Sequence, residues 1–133
     1  MTEAYKTLKL SDNAIKNLLA KNVLESGWGK YAQGAYNFGN LTTGNRWKGA
    51  FVNGKDKDIN GNQVSSKFRA YNNLQDFVKD EIQFLKDNYD FNPNDDFDTF
   101  MGKLQGANSN GRRYAAAPDY IDRVRRVYKK LYG

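Results

Sequence analysis

Glutamate is scarce in this chain, because Glu3, Glu25 and Glu81 are the only three among its 133 residues. We expect Glu3 to lie in a frayed terminus and Glu81 to be solvated or to cap a helix. Glu25 differs, since it ends a predicted helix directly before Ser26-Gly27-Trp28-Gly29. The negative end of the helix dipole and apolar shielding by Trp28 would both disfavour its ionised form. Glu25 is therefore a candidate general acid, although an ordinary helix-end glutamate fits the same position.

The composition excludes several kinds of enzyme, because the chain contains neither Cys nor His. Disulfide frameworks, Cys-His peptidases, Ser-His-Asp hydrolases and His-ligated zinc hydrolases are ruled out. Acid and base chemistry must then use carboxylates, Tyr or Lys. The net charge of +6 favours an anionic partner, with nucleic acid, a membrane surface and an acidic wall polymer all compatible. The apolar fraction of 39% is enough for a core, and no apolar run is long enough to span a membrane, so we expect a soluble protein.

The elements that must position Glu25 form one helix-rich domain over residues 1–133, interrupted by a β-hairpin. Ser11 is expected to cap a helix over Asp12–Glu25, in which apolar residues recur at helical spacing. A hairpin is expected with strands at 48–52 and 64–70 around a polar tip at 53–62. Two helices are expected at 74–85, capped by Asn72 or Asn73, and at 97–104. A last helix is expected to start at Pro118, with an inner apolar stripe formed by Ile121, Val124, Val127, Tyr128 and Leu131.

Five motifs occur in order along most of the chain: Val23-Leu24-Glu25-Ser26-Gly27-Trp28-Gly29, Asn37-Phe38-Gly39, Trp47, Phe68-Arg69-Ala70-Tyr71 and Tyr114-Ala115-Ala116-Ala117-Pro118-Asp119-Tyr120. Together they resemble the glucosaminidase family of peptidoglycan hydrolases, which includes flagellar muramidase-type domains and many phage lysins. The resemblance implies a lysozyme-like α+β fold, mainly helical with a small β-hairpin lobe. It also implies that Glu25 is the general acid that cleaves a β-1,4 bond of the wall glycan, with no cofactor.

The resemblance also suggests which residues surround the glycan. Tyr114 would orient the substrate acetamido group or the attacking water, or alternatively would pack the last helix against the first. Aromatic rings can stack on sugar rings, and amides can pair with hydroxyl and acetamido groups. The expected substrate-binding residues are Trp28, Tyr36, Asn37, Phe38, Trp47 and Tyr120.

The sequence offers two candidates for a second acidic group. The family often has a Glu on the β-lobe, where this chain offers Asp56 and Asp58. Either could position or deprotonate the attacking water, both could be solvated turn residues, or the sugar's own acetamido group could assist. The outcome at the anomeric carbon, retaining or inverting, stays open.

Three other departures from family or motif patterns concern single positions. Asn40 stands where the family usually has Ile after Phe-Gly, and Ala117 stands where it usually has Asp. Residues 56–61 begin like an EF-hand loop, but the twelfth position is Lys67 instead of Glu. We therefore expect a polar turn there and no metal site.

The sequence leads to one functional expectation with alternatives. The expected function is peptidoglycan hydrolysis, with endo-β-N-acetylglucosaminidase as the first choice and muramidase, or a non-catalytic glycan-binding or phage structural module, as alternatives. The expected partner is the peptidoglycan glycan strand, bound by a monomer with neither nucleic acid binding nor membrane insertion. Basic residues near the C-terminus would help to hold an anionic wall. Without a secretory signal, we expect a phage-delivered enzyme or a domain of a larger protein.

Overall fold

A computed structural model describes residues 1–57 and 60–133 of the chain. The elements in chain order are α1 (Thr2–Thr7), α2 (Asp12–Glu25), β1 (Phe51–Lys57), β2 (Gln63–Arg69), α3 (Leu74–Tyr89), α4 (Phe97–Leu104) and α5 (Tyr120–Tyr132). The expected α+β class, mainly helical with a small hairpin lobe, is confirmed. Within the described ranges, no helix has the length and hydropathy that a membrane span requires.

Side-chain caps fix the starts of three helices. Ser11, Asn73 and Asp96 each accept a hydrogen bond from the backbone N–H three residues later, at 3.2, 2.8 and 2.7 Å. Each cap satisfies one of the N–H groups that a helix start leaves unpaired. Asn73 is thus the cap of α3, which continues to Tyr89, beyond its predicted end.

The N-terminal segment is not frayed, which corrects the sequence-based expectation. Residues 2–7 form α1, and the Tyr5 side chain is fully buried in the core. A helix this short has little stability of its own in water. Burial of Tyr5 against the rest of the protein therefore stabilises α1.

The hairpin differs from its predicted bounds. Strands β1 and β2 pair antiparallel from Phe51 opposite Arg69 to Lys57 opposite Gln63. The polar segment that we expected to form a long tip is mostly part of β1 itself. Of the hairpin side chains whose burial the structure describes, most are exposed, and only Phe68 and Arg69 at the end of β2 are buried. An exposed strand has little hydrophobic pattern, which is why the sequence did not mark its bounds.

The hydrophobic core lies mainly between the helices. Helix α5 packs against α2, with Tyr120, Val124 and Val127 buried on its inner face. Leu131 was predicted to belong to the same stripe but is exposed in the last turn. The buried stripe of α5 therefore fixes the position of α2, and with it Glu25.

Candidate active site

A cleft of about 690 Å³ separates the helical body from the hairpin lobe. Glu25 lies on its wall at the end of α2, and Asp56 of β1 lies on the hairpin side. The segment 114–118 and the start of α5 close the cleft from the C-terminal side. Glu25, Asp56, Tyr114 and Tyr120, which are distant in sequence, therefore line one cavity.

The backbone reverses sharply directly after Glu25. Gly27, Trp28 and Gly29 all have positive φ, at 55°, 60° and 86°. This left-handed conformation costs an L-residue such as Trp28 about 1–2 kcal/mol. The Trp28 N–H donates to the Val23 carbonyl at 2.8 Å, which closes the end of α2. The turn ends α2 at Glu25, on the cleft wall.

Burial is the largest influence on the pKa of Glu25. The side chain is partly buried, and desolvation raises the pKa of its carboxyl above the ordinary value of 4.5. The Lys21 ammonium group lowers this pKa, while the negative charges of Asp56 and Glu81 raise it. The net direction is upward, so Glu25 stays protonated at a higher pH than an exposed glutamate, as a general acid requires.

Of the two aspartates proposed from the sequence, the structure describes only Asp56. Asp56 lines the cleft and is close enough to Glu25 for its charge to raise the Glu25 pKa. Asp58 lies outside the described residues. Asp56 lies in strand β1 and not in the polar turn expected from the sequence.

Tyr114 lies at the cleft wall with its hydroxyl already bonded. The hydroxyl donates to the Gly39 carbonyl at 2.5 Å and accepts from the Lys21 ammonium at 3.0 Å. Its ring also lies 4.4 Å from the Lys21 nitrogen, measured to the ring centroid. Tyr114 thus joins segment 39–40 to α2, and its hydroxyl proton is not free to orient water in this conformation.

The hydroxyl of Tyr120, unlike that of Tyr114, lacks a well-aligned hydrogen bond to the described residues. The Tyr120 side chain is 4% exposed. It faces the Glu25 carboxyl, and its interaction with the ionised form lowers the Glu25 pKa. A buried hydroxyl without a full partner is rare in proteins. It can bond to the Glu25 carboxylate once that residue has given up its proton.

Asn37 and Phe38 are not among the described residues that line the cleft. Asn37 is fully buried, and its side-chain amide donates to the backbone carbonyls of Leu41 and Arg69 at 2.9 Å each. It also accepts from the Leu41 N–H at 2.9 Å. Phe38 packs edge-on against Phe77 in the core. Asn37 thus holds the loop after α2, whereas Phe38 is partly buried, and a role for Phe38 in glycan contact stays a prediction.

The three remaining aromatic candidates also lie away from the described walls of the cleft. Trp47 packs on Tyr71 and Arg69 beside a second cavity of about 540 Å³, and its indole N–H donates to Ala50 at 2.8 Å. Trp28 and Tyr36 are about half exposed. A role for these three in glycan contact stays a prediction.

Two features near Glu25 escaped the sequence analysis. Glu81 is not solvated but fully buried, and it accepts a hydrogen bond from the Lys21 ammonium at 2.9 Å. Asn40 donates from its side chain to the Glu25 carbonyl at 2.5 Å. Asn40 has a positive φ of 49°. Asn tolerates this conformation better than a β-branched residue such as Ile, which explains locally why Asn stands where the family usually has Ile.

Comparison with known proteins agrees with this architecture. The model of the glucosaminidase family, described as mannosyl-glycoprotein endo-beta-N-acetylglucosaminidase, matches residues 2–133. The chain belongs to the glucosaminidase family. In the part of this family member that the structure describes, no group of three or more acidic side chains could hold a metal ion.

Relatives of this glucosaminidase family chain include flagellar proteins and a solved hydrolase. Peptidoglycan hydrolase FlgJ of Vibrio parahaemolyticus is 32% identical over 126 residues, which are 86% of this chain and 39% of that protein. Peptidoglycan hydrolase FlgJ of Pseudomonas aeruginosa is 27% identical over 131 residues, covering 86% and 30%. The crystal structure of a peptidoglycan hydrolase mutant from Sphingomonas sp. A1 matches with TM-score 0.72 and 28% identity, covering 86% of this chain and 78% of that one. The chain spans less than half the length of both FlgJ relatives.

Proposed function

We propose that this protein hydrolyses β-1,4 glycosidic bonds of bacterial peptidoglycan, with Glu25 as the general acid. The observation that carries the proposal is the position of Glu25, a partly buried carboxyl with a raised pKa on the wall of a cleft between two lobes. The names of the FlgJ relatives and of the Sphingomonas hydrolase support peptidoglycan as the substrate. An acid in such a cleft can protonate the oxygen of a glycosidic bond that lies along it.

The reaction begins with proton transfer from Glu25 to the glycosidic oxygen. As the bond breaks, positive charge develops at the anomeric carbon, and Glu25 becomes a carboxylate. The Lys21 ammonium and the Tyr120 hydroxyl both favour that carboxylate, so they stabilise the charge that appears in this step. Water then attacks the anomeric carbon and completes hydrolysis.

The group that assists the water is a separate part of the proposal. Asp56 is our first candidate because it faces Glu25 across the cleft. Asp58, which lies outside the described residues, stays a candidate from the sequence. Two carboxylates about 5–5.5 Å apart would favour retention, and about 6.5–9.5 Å would favour inversion. If neither aspartate acts, the substrate's 2-acetamido group can stabilise the cationic centre.

We propose N-acetylglucosaminidase as the bond specificity, with muramidase as the alternative on the same fold. The description of the matching family names an endo-beta-N-acetylglucosaminidase, which supports the first choice. Mass spectrometry of digested peptidoglycan after borohydride reduction tests it. A reduced glucosamine end supports the proposal, whereas a reduced muramic end identifies a muramidase and an anhydro-muramic end a lytic transglycosylase.

Substitution of single carboxylates tests the assigned roles. Glu25→Gln should lower kcat by about 10²–10⁴-fold, the contribution of a general acid. Glu3→Gln is the matched control, because Glu3 is exposed in α1 and should leave kcat unchanged. Asp56→Asn and Asp58→Asn, measured side by side, identify the second group. Undiminished lysis by Glu25→Gln would contradict the role of Glu25 as the acid, whereas a wild type that produces no new glycan ends would leave a glycan-binding module as the alternative.

The setting of the reaction is also a proposal. We infer that the protein acts at the bacterial cell wall, as a monomer that needs no nucleic acid. Light scattering during size-exclusion chromatography checks the monomer, and a gel shift at physiological ionic strength checks nucleic acid binding. Delivery by a phage is a prediction that the flagellar names of the two FlgJ relatives do not support. Detection of the chain in purified virions would support it.

A further inference from the structure

A buried ion pair lies in the wall behind Glu25. Lys21 of α2 and Glu81 of α3 are both fully buried, with Nζ and Oε2 2.9 Å apart. The second carboxylate oxygen of Glu81 accepts from the Tyr5 hydroxyl and, at 3.2 Å, from the Asn22 side-chain amide. A buried pair is retained at low cost only when such additional bonds satisfy its polar atoms. This pair meets that condition, so its charges have fixed positions.

The same ion pair is connected to the surface of the cleft. Lys21 donates a second hydrogen bond to the Tyr114 hydroxyl at 3.0 Å, and that hydroxyl donates to the Gly39 carbonyl at 2.5 Å. The Gly39 backbone lies directly on the pair, because an added Cβ would come within 3.2 Å of the Lys21 nitrogen. Lys21 therefore anchors two separate segments of the cleft wall, at 39–40 and at 114.

Lys21 is also one helical turn before Glu25. Side chains four residues apart lie on the same face of a helix, so the ammonium group is behind the acid. Among the described charged groups that act on Glu25, Lys21 has the largest effect and favours the carboxylate, whereas Asp56 and Glu81 oppose it. The other ionisable groups that face Glu25 are Tyr120 of α5 and Tyr114, and Lys55 and Arg123 also line the cleft.

We propose that Lys21 is a positioning residue for the reaction: held by Glu81 and Tyr114, its ammonium group fixes the cleft wall and places a positive charge behind Glu25. The inference rests on the proposed function, in which Glu25 is the acid. It explains why a lysine is buried in a protein of this size. The charge stabilises the carboxylate that forms when Glu25 gives up its proton, without contact with the substrate.

Removal of this charge has a defined sign. Without the Lys21 ammonium, the Glu25 carboxylate is less stable, so the pKa of Glu25 rises further. A general acid must be protonated to act, and kcat/KM falls as the pH rises through its pKa. The descending limb of the pH profile therefore moves to higher pH when Lys21 is replaced. Loss of folded protein would lower the whole profile and leave the limb in place.

Two variants at this pair test the proposal. Lys21→Met has similar length but leaves Glu81 buried without its cation, which can destabilise the fold. The double variant Lys21→Met with Glu81→Gln removes both charges. It can be measured in place of the single variant if the single variant does not fold. Lys21 lowers the pKa of Glu25 by more than Glu81 raises it, so both variants should raise this pKa and move the descending limb to higher pH. Lys103→Met is the matched control, since it breaks the 2.6 Å ion pair with Asp95, which does not line the cleft.

A second readout separates this inference from the proposed function. The chain has three glutamates, so carboxyl-selective ¹³C labelling of Glu gives three NMR titrations, and Glu25→Gln assigns the relevant one. The Glu25 titration should move to higher pH in both Lys21 variants and stay unchanged in Lys103→Met. If the wild type is active but neither the Glu25 titration nor the descending limb moves in the Lys21 variants, the role of Lys21 is wrong. A shifted titration in a protein that cleaves no glycan overturns the proposed function alone.

Discussion

The side-chain amide of Asn40 donates a hydrogen bond to the backbone carbonyl of Glu25, with nitrogen and oxygen 2.5 Å apart. The side-chain oxygen of Asn40 in turn accepts from the Gln33 N–H at 2.7 Å. The last carbonyls of a helix have no partner within the helix. Asn40, in a loop fifteen residues later, supplies the hydrogen-bond donor for the Glu25 carbonyl and thereby fixes the end of α2 in the cleft.

Asn40→Gly should therefore destabilise the protein and reduce activity. Glycine keeps the left-handed backbone of Asn40 without strain but removes both side-chain bonds. We expect a loss of about 1–3 kcal/mol in the free energy of unfolding, since a partly buried carbonyl loses its partner. Chemical denaturation and kcat on peptidoglycan measure the two effects. Asn45→Gly, at an exposed position, is the control, and equal effects of the two variants would contradict this role.

The raised pKa of Glu25 should make its contribution to stability depend on pH. Folding favours the protonated carboxyl, so this contribution is fully present below the ordinary pKa and is lost as the pH rises through the raised value. Glu25→Gln, which cannot ionise, should match the wild type in Tm near pH 4 and exceed it above neutral pH. Thermal unfolding of both proteins across pH measures the difference. A constant difference in Tm at all pH values would show that Glu25 titrates normally.

The sequence predicted α2 and the position of Glu25 at its end because the determinants of this helix are local. Ser11 caps the helix, the apolar spacing is helical, and the Gly-rich turn that ends it follows immediately after Glu25. The surroundings of the acid could not be predicted in the same way. Glu81 meets Lys21 across 60 residues of sequence, and such a contact depends on the packing of α3 against the rest of the core. A buried charge looks like a solvated one until its partner is known.

Two tyrosines of one motif should respond differently to loss of their hydroxyl groups. Tyr114→Phe removes an acceptor from Lys21 and a donor from the Gly39 carbonyl, so we expect a loss of about 1–3 kcal/mol in stability. Tyr120→Phe removes a buried hydroxyl without a well-aligned partner among the described residues, so stability should not fall.

The catalytic effects of these two variants test the role of Tyr120. If its hydroxyl bonds to the Glu25 carboxylate during the reaction, Tyr120→Phe should lower kcat by about 10- to 100-fold, because a bond to a charged group is worth about 1.5–3 kcal/mol. Unfolding in denaturant and steady-state kinetics give both quantities for each variant. Full activity of a stable Tyr120→Phe would show that this hydroxyl takes no part.

Gly39 and Gly102 should give opposite results when each is replaced by Ala. At Gly39 a Cβ would lie 3.1 Å from the Glu81 carboxylate and 3.2 Å from the Lys21 ammonium, and neither group can move without loss of its buried bonds. We expect Gly39→Ala to cost about 1–3 kcal/mol, as crowding of a packed interior does. At Gly102, inside α4, the nearest atom would be 3.9 Å away, so Ala fits and should stabilise the helix by about 0.5–1 kcal/mol. Denaturation midpoints measure both changes, and a neutral Gly39→Ala would mean that the ion pair yields and does not hold this wall rigidly.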